Sequence, residues 1–234
     1  MNSASPESTR TYPTGTSLAA KLLNVFVSPG LVFEEVVSTP PKAGNWLVPL
    51  VLVTLSSLVV LGATTDLERA SAAIASLVET GKVTQAQATA LSTHWRSIGA
   101  VTLCVGAFAG TAWSAFLIWF IGRVFLKTRF TFQKALEVAS LSATILVLGA
   151  IVTWLLGSAT GDTSARPSLS MFDLKIQPGS SIRIAAGLLD CFHLWATAVL
   201  AIGLSRLAGV TVKESVFWVF GYWFFFKMAL VLLA

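Results

Sequence analysis

Asp190 and His193 stand three residues apart inside a long apolar run, Arg183 to Arg206, and Lys227 lies deep in the next one, Val212 to Ala234. At about 1.5 Å per residue, each run is long enough to cross a bilayer as a helix. The i,i+3 spacing puts Asp190 and His193 on one helix face, where a carboxylate could orient an imidazole. A carboxylate at that depth costs about 2.5 to 3.5 kcal/mol on insertion scales, so a partner is expected. The midpoint of 190 and 227 is 208.5, inside the turn expected between Arg206 and Lys213. An antiparallel hairpin therefore puts Asp190 and Lys227 at similar depth, and an intramembrane Asp190–Lys227 pair is the expectation. It reads first as a structural clamp that lets two polar helices insert. Its other reading is ion or proton handling by Asp190, His193 and Lys227.

Catalysis finds little support in the residue types. No HExxH is present, and Gly157-Ser158-Ala159-Thr160-Gly161 has its serine one place too early for a GxSxG elbow. Cys191, the nearest nucleophile to His193, points elsewhere on the helix. Cys104 and Cys191 both fall inside expected spans and read as core thiols. No Cys/His spacing resembles a metal site. No catalytic residue, metal or cofactor is expected.

The elements that must carry these residues are membrane helices. The chain of 234 residues is 55% hydrophobic and only 12% charged, where soluble domains run near a quarter charged; its mean hydropathy is +0.77. The net charge of +5 sits beside apolar runs. Anionic headgroups and topology explain it better than nucleic acid does. The expected fold is an all-α polytopic membrane bundle with five transmembrane helices plus amphipathic interfacial helices.

Residues 1–16, rich in Ser, Thr and Pro, read as a disordered tail. Residues 17–44 read as two amphipathic helices in the membrane interface, with a cap on the bundle as the alternative. Leu18, Leu22, Leu23 and Phe26 form the apolar face of the first. The second opens at Ser28-Pro29, an N-cap and N1 proline, and turns Glu34 and Glu35 to water. The five-span domain occupies 45–234. Its first span runs from Trp46 to about Thr65, with Pro49 in the first turn. Two short helices follow as an extramembrane hairpin at 66–96; Thr65 with Glu68 and Thr84 with Gln87 fit the capping box.

The second span, about Ile98 to Gly122, carries Thr102, Gly106, Gly110 and Ser114 at every fourth residue, a stripe expected to receive another helix. Arg123, Lys127, Arg129 and Lys134 form the densest basic cluster and mark a cytoplasmic connector. The third span runs from about Glu137 to Leu156. With the N-terminus inside, nine Lys and Arg fall in inner segments and six in outer ones. The expected topology is thus N-terminus cytoplasmic and C-terminus outside, in the cell membrane.

Several segments carry a family resemblance. Ser28-Pro29-Gly30-Leu31-Val32-Phe33-Glu34-Glu35 ahead of Trp46 and Pro49, Phe130-Thr131-Phe132 with Ala135-Leu136, and Leu189-Asp190-Cys191-Phe192-His193-Leu194-Trp195 with Leu200-Ala201-Ile202-Gly203-Leu204 resemble, in order and spacing, the bacterial branch of the Yip family of Ypt/Rab-interacting membrane proteins. The resemblance spans Leu18 to the C-terminus. It implies five spans, a cytoplasmic N-terminus, a bacterial inner membrane and no established catalysis. The Asp-Leu-Tyr-Gly-Pro type motif of the eukaryotic branch is absent before the first span, so binding of a Rab-type GTPase is not supported.

The functional expectation is a non-enzymatic multi-pass membrane protein that organises membrane or serves as a subunit of an assembly. Its partners are the lipid bilayer, further copies of itself or other membrane proteins, and no nucleic acid. The alternative is a small transporter or channel-like protein using Asp190, His193 and Lys227.

Overall fold

A computed structural model of the chain describes residues 15–64, 67–161, 165–171, 186 and 189–233. The expected disordered tail and the Thr65–Glu68 capping box depend on residues outside that set. Nine α-helices are found among the described residues: α1 (Leu18–Val27), α2 (Pro29–Ser38), α3 (Gly44–Thr64), α4 (Leu67–Glu79), α5 (Gln85–Val124), α6 (Phe132–Ala143), α7 (Ile145–Thr160), α8 (Cys191–Ala208) and α9 (Val212–Leu233). They form a helical membrane bundle.

Local chemistry sets most boundaries. Ser17 accepts from the Ala20 amide to cap α1, and Pro29 opens α2. Thr84 and Gln87 close a reciprocal capping box at the start of α5. Thr131 caps α6. Gly161 and Gly209 end α7 and α8 in the left-handed region, at φ +67° and +66°. Pro49 lies inside α3, one turn deeper than expected.

Three expected elements are corrected. The second arm of the hairpin is not a separate helix: α5 runs unbroken for 40 residues, about 60 Å at 1.5 Å per residue. Neither Pro nor a polar Gly/Ser turn interrupts it between Gln85 and Ile98. The third span is broken at Thr144, whose amide turns back to the Leu141 carbonyl at 3.2 Å. The Ser142 hydroxyl donates to the Val138 carbonyl at 2.8 Å, a back-bond that bends helices. The fourth span begins at Cys191 rather than near Arg183.

Among the described residues, four helical stretches are long and apolar enough to cross a membrane: α3 (Gly44–Ala63), α5, the α6–α7 pair (Phe132–Thr160) and α8. The expected fifth, α9, has 22 residues and the length to span. It carries Lys213, Glu214 and Lys227.

The core lies around α6, where Ala135, Val138, Ala139 and Leu141 are buried. α3, α5 and α8 pack on it, α7 continues it against α3 and α8, and α9 packs on α8. α1 and α2 close the end at which α3 starts and α5 and α8 finish. Val25, Val32, Phe33 and Val36 are buried there against α6 and α8.

Candidate functional site

Asp190, His193 and Lys227 all lie at the end of the bundle away from α1 and α2. Asp190 is the N-cap of α8. Its Oδ1 accepts from the Phe192 amide at 2.8 Å and the His193 amide at 3.1 Å, and lies 3.4 Å from His193 Nδ1. The segment before it is fastened alongside: the Cys191 amide donates to the Pro167 carbonyl at 3.2 Å and the Leu169 amide to the Leu189 carbonyl at 3.3 Å.

The expected Asp190–Lys227 ion pair does not form among the described residues. The two charges are within electrostatic range, as the depth arithmetic requires. Asp190, however, directs its carboxylate to the free amides of its own helix. Those donors are fixed by the chain and aimed along the helix axis. Lys227 Nζ lies instead 5.9 Å from the centre of the Trp223 ring. Asp190→Ala is therefore expected to cost about 0.5 to 2 kcal/mol, the loss of a cap. Its coupling to Lys227→Gln in a double-mutant cycle, read by unfolding in detergent, should stay below about 0.5 kcal/mol. A coupling of about 2 kcal/mol or more would restore the pair.

Two cavities meet at this end. One, of about 300 Å³, lies between α3, α7 and α8 and is lined by Arg166, Asp190 and His193 together with Val53, Leu103 and Thr153. The other, of about 610 Å³, opens between α5 and α9 and is lined by His193 and Lys227. His193 belongs to both. Among the described residues no group of three or more His, Cys, Asp and Glu side chains could hold a metal ion.

The most enclosed polar cluster lies at the opposite end and was not singled out from the sequence. Glu137 is fully buried. It accepts from the Lys42 amide at 2.5 Å and Asn45 Nδ2 at 3.1 Å, and pairs with Lys134 Nζ at 2.8 Å. Lys134 also donates to the Val36 carbonyl at 2.5 Å, near the negative end of α2. One carboxylate thus joins the end of α2, the start of α3 and the first turn of α6. Lys134 is accordingly removed from the basic cluster to which its sequence position assigns it. Arg123, Lys127 and Arg129 remain exposed, with Arg123 over the Trp119 ring at 5.0 Å. The available signal was a Lys–Glu pair at i,i+3 just inside an apolar helix.

Two further bridges fasten α1 and α2. Lys21, almost completely buried, pairs with Glu35 at 3.1 Å. Burial by itself would raise the Glu35 pKa, but hydrogen bonds from Thr16 and Lys21, with the Lys21 charge, bring it below the usual glutamate value. Arg206 at the end of α8 reaches Glu34 at 3.3 Å. The faces of α1 and α2 follow the periodicity only in part: Leu22 and Phe26 pack on the core and Phe33 and Val36 are buried. Lys21 and Val32 point inward, while Leu23, Val27 and Leu31 are 71%, 84% and 68% exposed.

The small-residue stripe is also differently placed. A Cβ added at Gly106 or Gly110 meets nothing within 4 Å, and Thr102 is exposed. Close approaches are made elsewhere. Gly122 lies under the Phe130 ring, Gly149 against Phe192, and Gly203 against Val138 and Phe33. In lipid every helix face is apolar, so small residues on a span do not by themselves tell which face meets a neighbour.

A bundle of helices able to span a membrane, with a docked pair of short helices, defines a multi-pass membrane protein. The chain matches the Yip1 domain over residues 23–234 and belongs to that family. No curated protein and no solved structure matches it.

Proposed function

We propose that this Yip1-family protein is a non-enzymatic organiser of the membrane that holds it, acting through the α1–α2 pair. The observation that carries this reading is the two-sidedness of that pair. One side is fixed to the bundle by Phe33, Val36 and the Arg206–Glu34 and Lys134–Val36 contacts, and Lys21–Glu35 ties the two helices to each other. The other presents Leu23, Val27 and Leu31, spaced four residues apart across the junction of the helices. An apolar ridge at the level of the headgroups inserts shallowly and widens one leaflet. Rigid attachment to the spans keeps that wedge at fixed depth. The basic residues support placing this end on the cytoplasmic side of the cell membrane. They include Arg123, Lys127, Arg129 and Arg206, which suit an anionic leaflet.

The test is reconstitution into vesicles of mixed diameter. Wild-type protein is expected to partition toward small vesicles. The variant with Leu23→Ser, Val27→Ser and Leu31→Ser should distribute evenly while keeping its melting temperature. Equal distribution of wild type would overturn the proposal. The second reading, ion or proton handling, is favoured by the sharing of His193 between two cavities. Proton flux in the same vesicles, lost in Lys227→Gln, would put that reading ahead.

A further inference from the structure

Between α5 and α9 the bundle is open over much of its height. Two adjoining cavities, of about 610 Å³ and about 510 Å³, occupy the gap and share Trp113, Leu117 and Tyr222. They are one groove, narrowed where Trp113 Nε1 donates to the Tyr222 oxygen at 2.7 Å. At the end near α2 it is closed by Phe125 stacked on Trp218, with ring centres 4.2 Å apart.

The groove is apolar with one polar end. Its serine and threonine hydroxyls are already committed to their own helices. Ser114 donates to the Gly110 carbonyl at 2.9 Å, Ser142 to Val138 at 2.8 Å and Thr197 to His193 at 2.7 Å. At the end away from α2 stands Lys227, with His193 beside it. Lys227 has no ion pair among the described residues. Asp190, the nearby carboxylate, lines the neighbouring cavity instead, where its oxygen caps α8. From Lys227 to Phe217 is ten residues of α9, about 15 Å, which is half of a hydrocarbon core about 30 Å thick.

An apolar slot about 15 Å long, with a cation at one end that has no ion pair among the described residues, matches an amphiphile carrying a net negative charge. We propose that the α5–α9 groove binds a single phospholipid whose headgroup carries a net charge of minus one. Its phosphate lies at Lys227 and His193, and its acyl chains run past Trp113 and Tyr222 toward Phe125. The occupant is a lipid rather than a helix of a second copy, because an apolar helix brings no group that can pair with Lys227 and a phosphate does.

The full chain, exchanged into mild detergent with equal phosphatidylglycerol and phosphatidylcholine, can be weighed intact by mass spectrometry. One phospholipid per chain is expected to persist, with phosphatidylglycerol favoured about fivefold or more, because both headgroups offer the phosphodiester but the choline cation cancels its charge and is repelled by Lys227. Lys227→Gln should remove that preference. Gly110→Phe and Gly221→Phe place side chains in open space, so each should keep the fold and expel the lipid. Three results would overturn the proposal. They are equal lipid retention by wild type and the filled variants, a preference unchanged in Lys227→Gln, or a lipid-free mass of two chains, which would give the groove to a second copy.

Discussion

Glu137→Leu is expected to destabilise the bundle by about 3 to 5 kcal/mol, the range for breaking a buried ion pair by removal of one partner. The substitution keeps the apolar volume of the side chain but strands the Lys134 ammonium, which is buried beside it. It also removes the acceptor for the Lys42 amide and Asn45 Nδ2. Lys134→Met should be nearly as damaging, since Glu137 is then buried with its charge unmatched. The double variant should recover part of the loss, with a coupling of about 1 to 3 kcal/mol. Recovery stays incomplete because the Val36 carbonyl, the Lys42 amide and Asn45 still lack partners. Chemical unfolding in detergent of the four proteins gives the cycle. Additive losses would show that the three-helix junction does not depend on the pair.

The second large effect is expected at Gly203. A Cβ there falls on Val138 and comes within 3.2 and 3.3 Å of Phe33 ring carbons. Both neighbours are fully buried, so neither has room to retreat. Gly203→Leu should cost about 3 kcal/mol or more, the upper end for forcing methylenes into a packed core. It should also loosen α2, because Phe33 is the α2 side chain that must move. Gly106→Leu is the control and should change stability by no more than about 0.5 kcal/mol, since its Cβ meets nothing within 4 Å. Melting temperatures in one detergent, together with hydrogen exchange along α2, check both. Equal behaviour of the two variants would mean that α6 and α8 do not pack at Gly203.

These two sites show where sequence reasoning stopped. Gly106 and Gly110 carry the more obvious motif, yet Gly203, Gly149 and Gly122 make the close contacts. A helix in water declares its inner face by its apolar stripe. A helix in lipid has no such stripe, because lipid and core are equally apolar. On α1 and α2 the inward turn of Lys21 and Val32 and the outward turn of Leu23 have a different cause. In each case the deciding partner, Glu35 for Lys21 or α6 and α8 for Val32, lies on another element.

What the sequence determined by itself was whatever depends on near neighbours along the chain. Composition and apolar run length required a membrane bundle. Thr84 with Gln87, and Pro29, set helix starts through contacts within four residues. The arithmetic of the last hairpin placed Asp190 and Lys227 at one end and within reach of each other's charge, because helix rise is nearly constant. The tertiary structure alone decided azimuth and partnership. It drew Lys134 out of its basic cluster, joined Glu137 to residues more than ninety positions earlier, and left α5 and α9 apart with Lys227 at the mouth of the gap. Rise along a helix is a local property of the backbone. Rotation about its axis is settled only by which neighbour it meets.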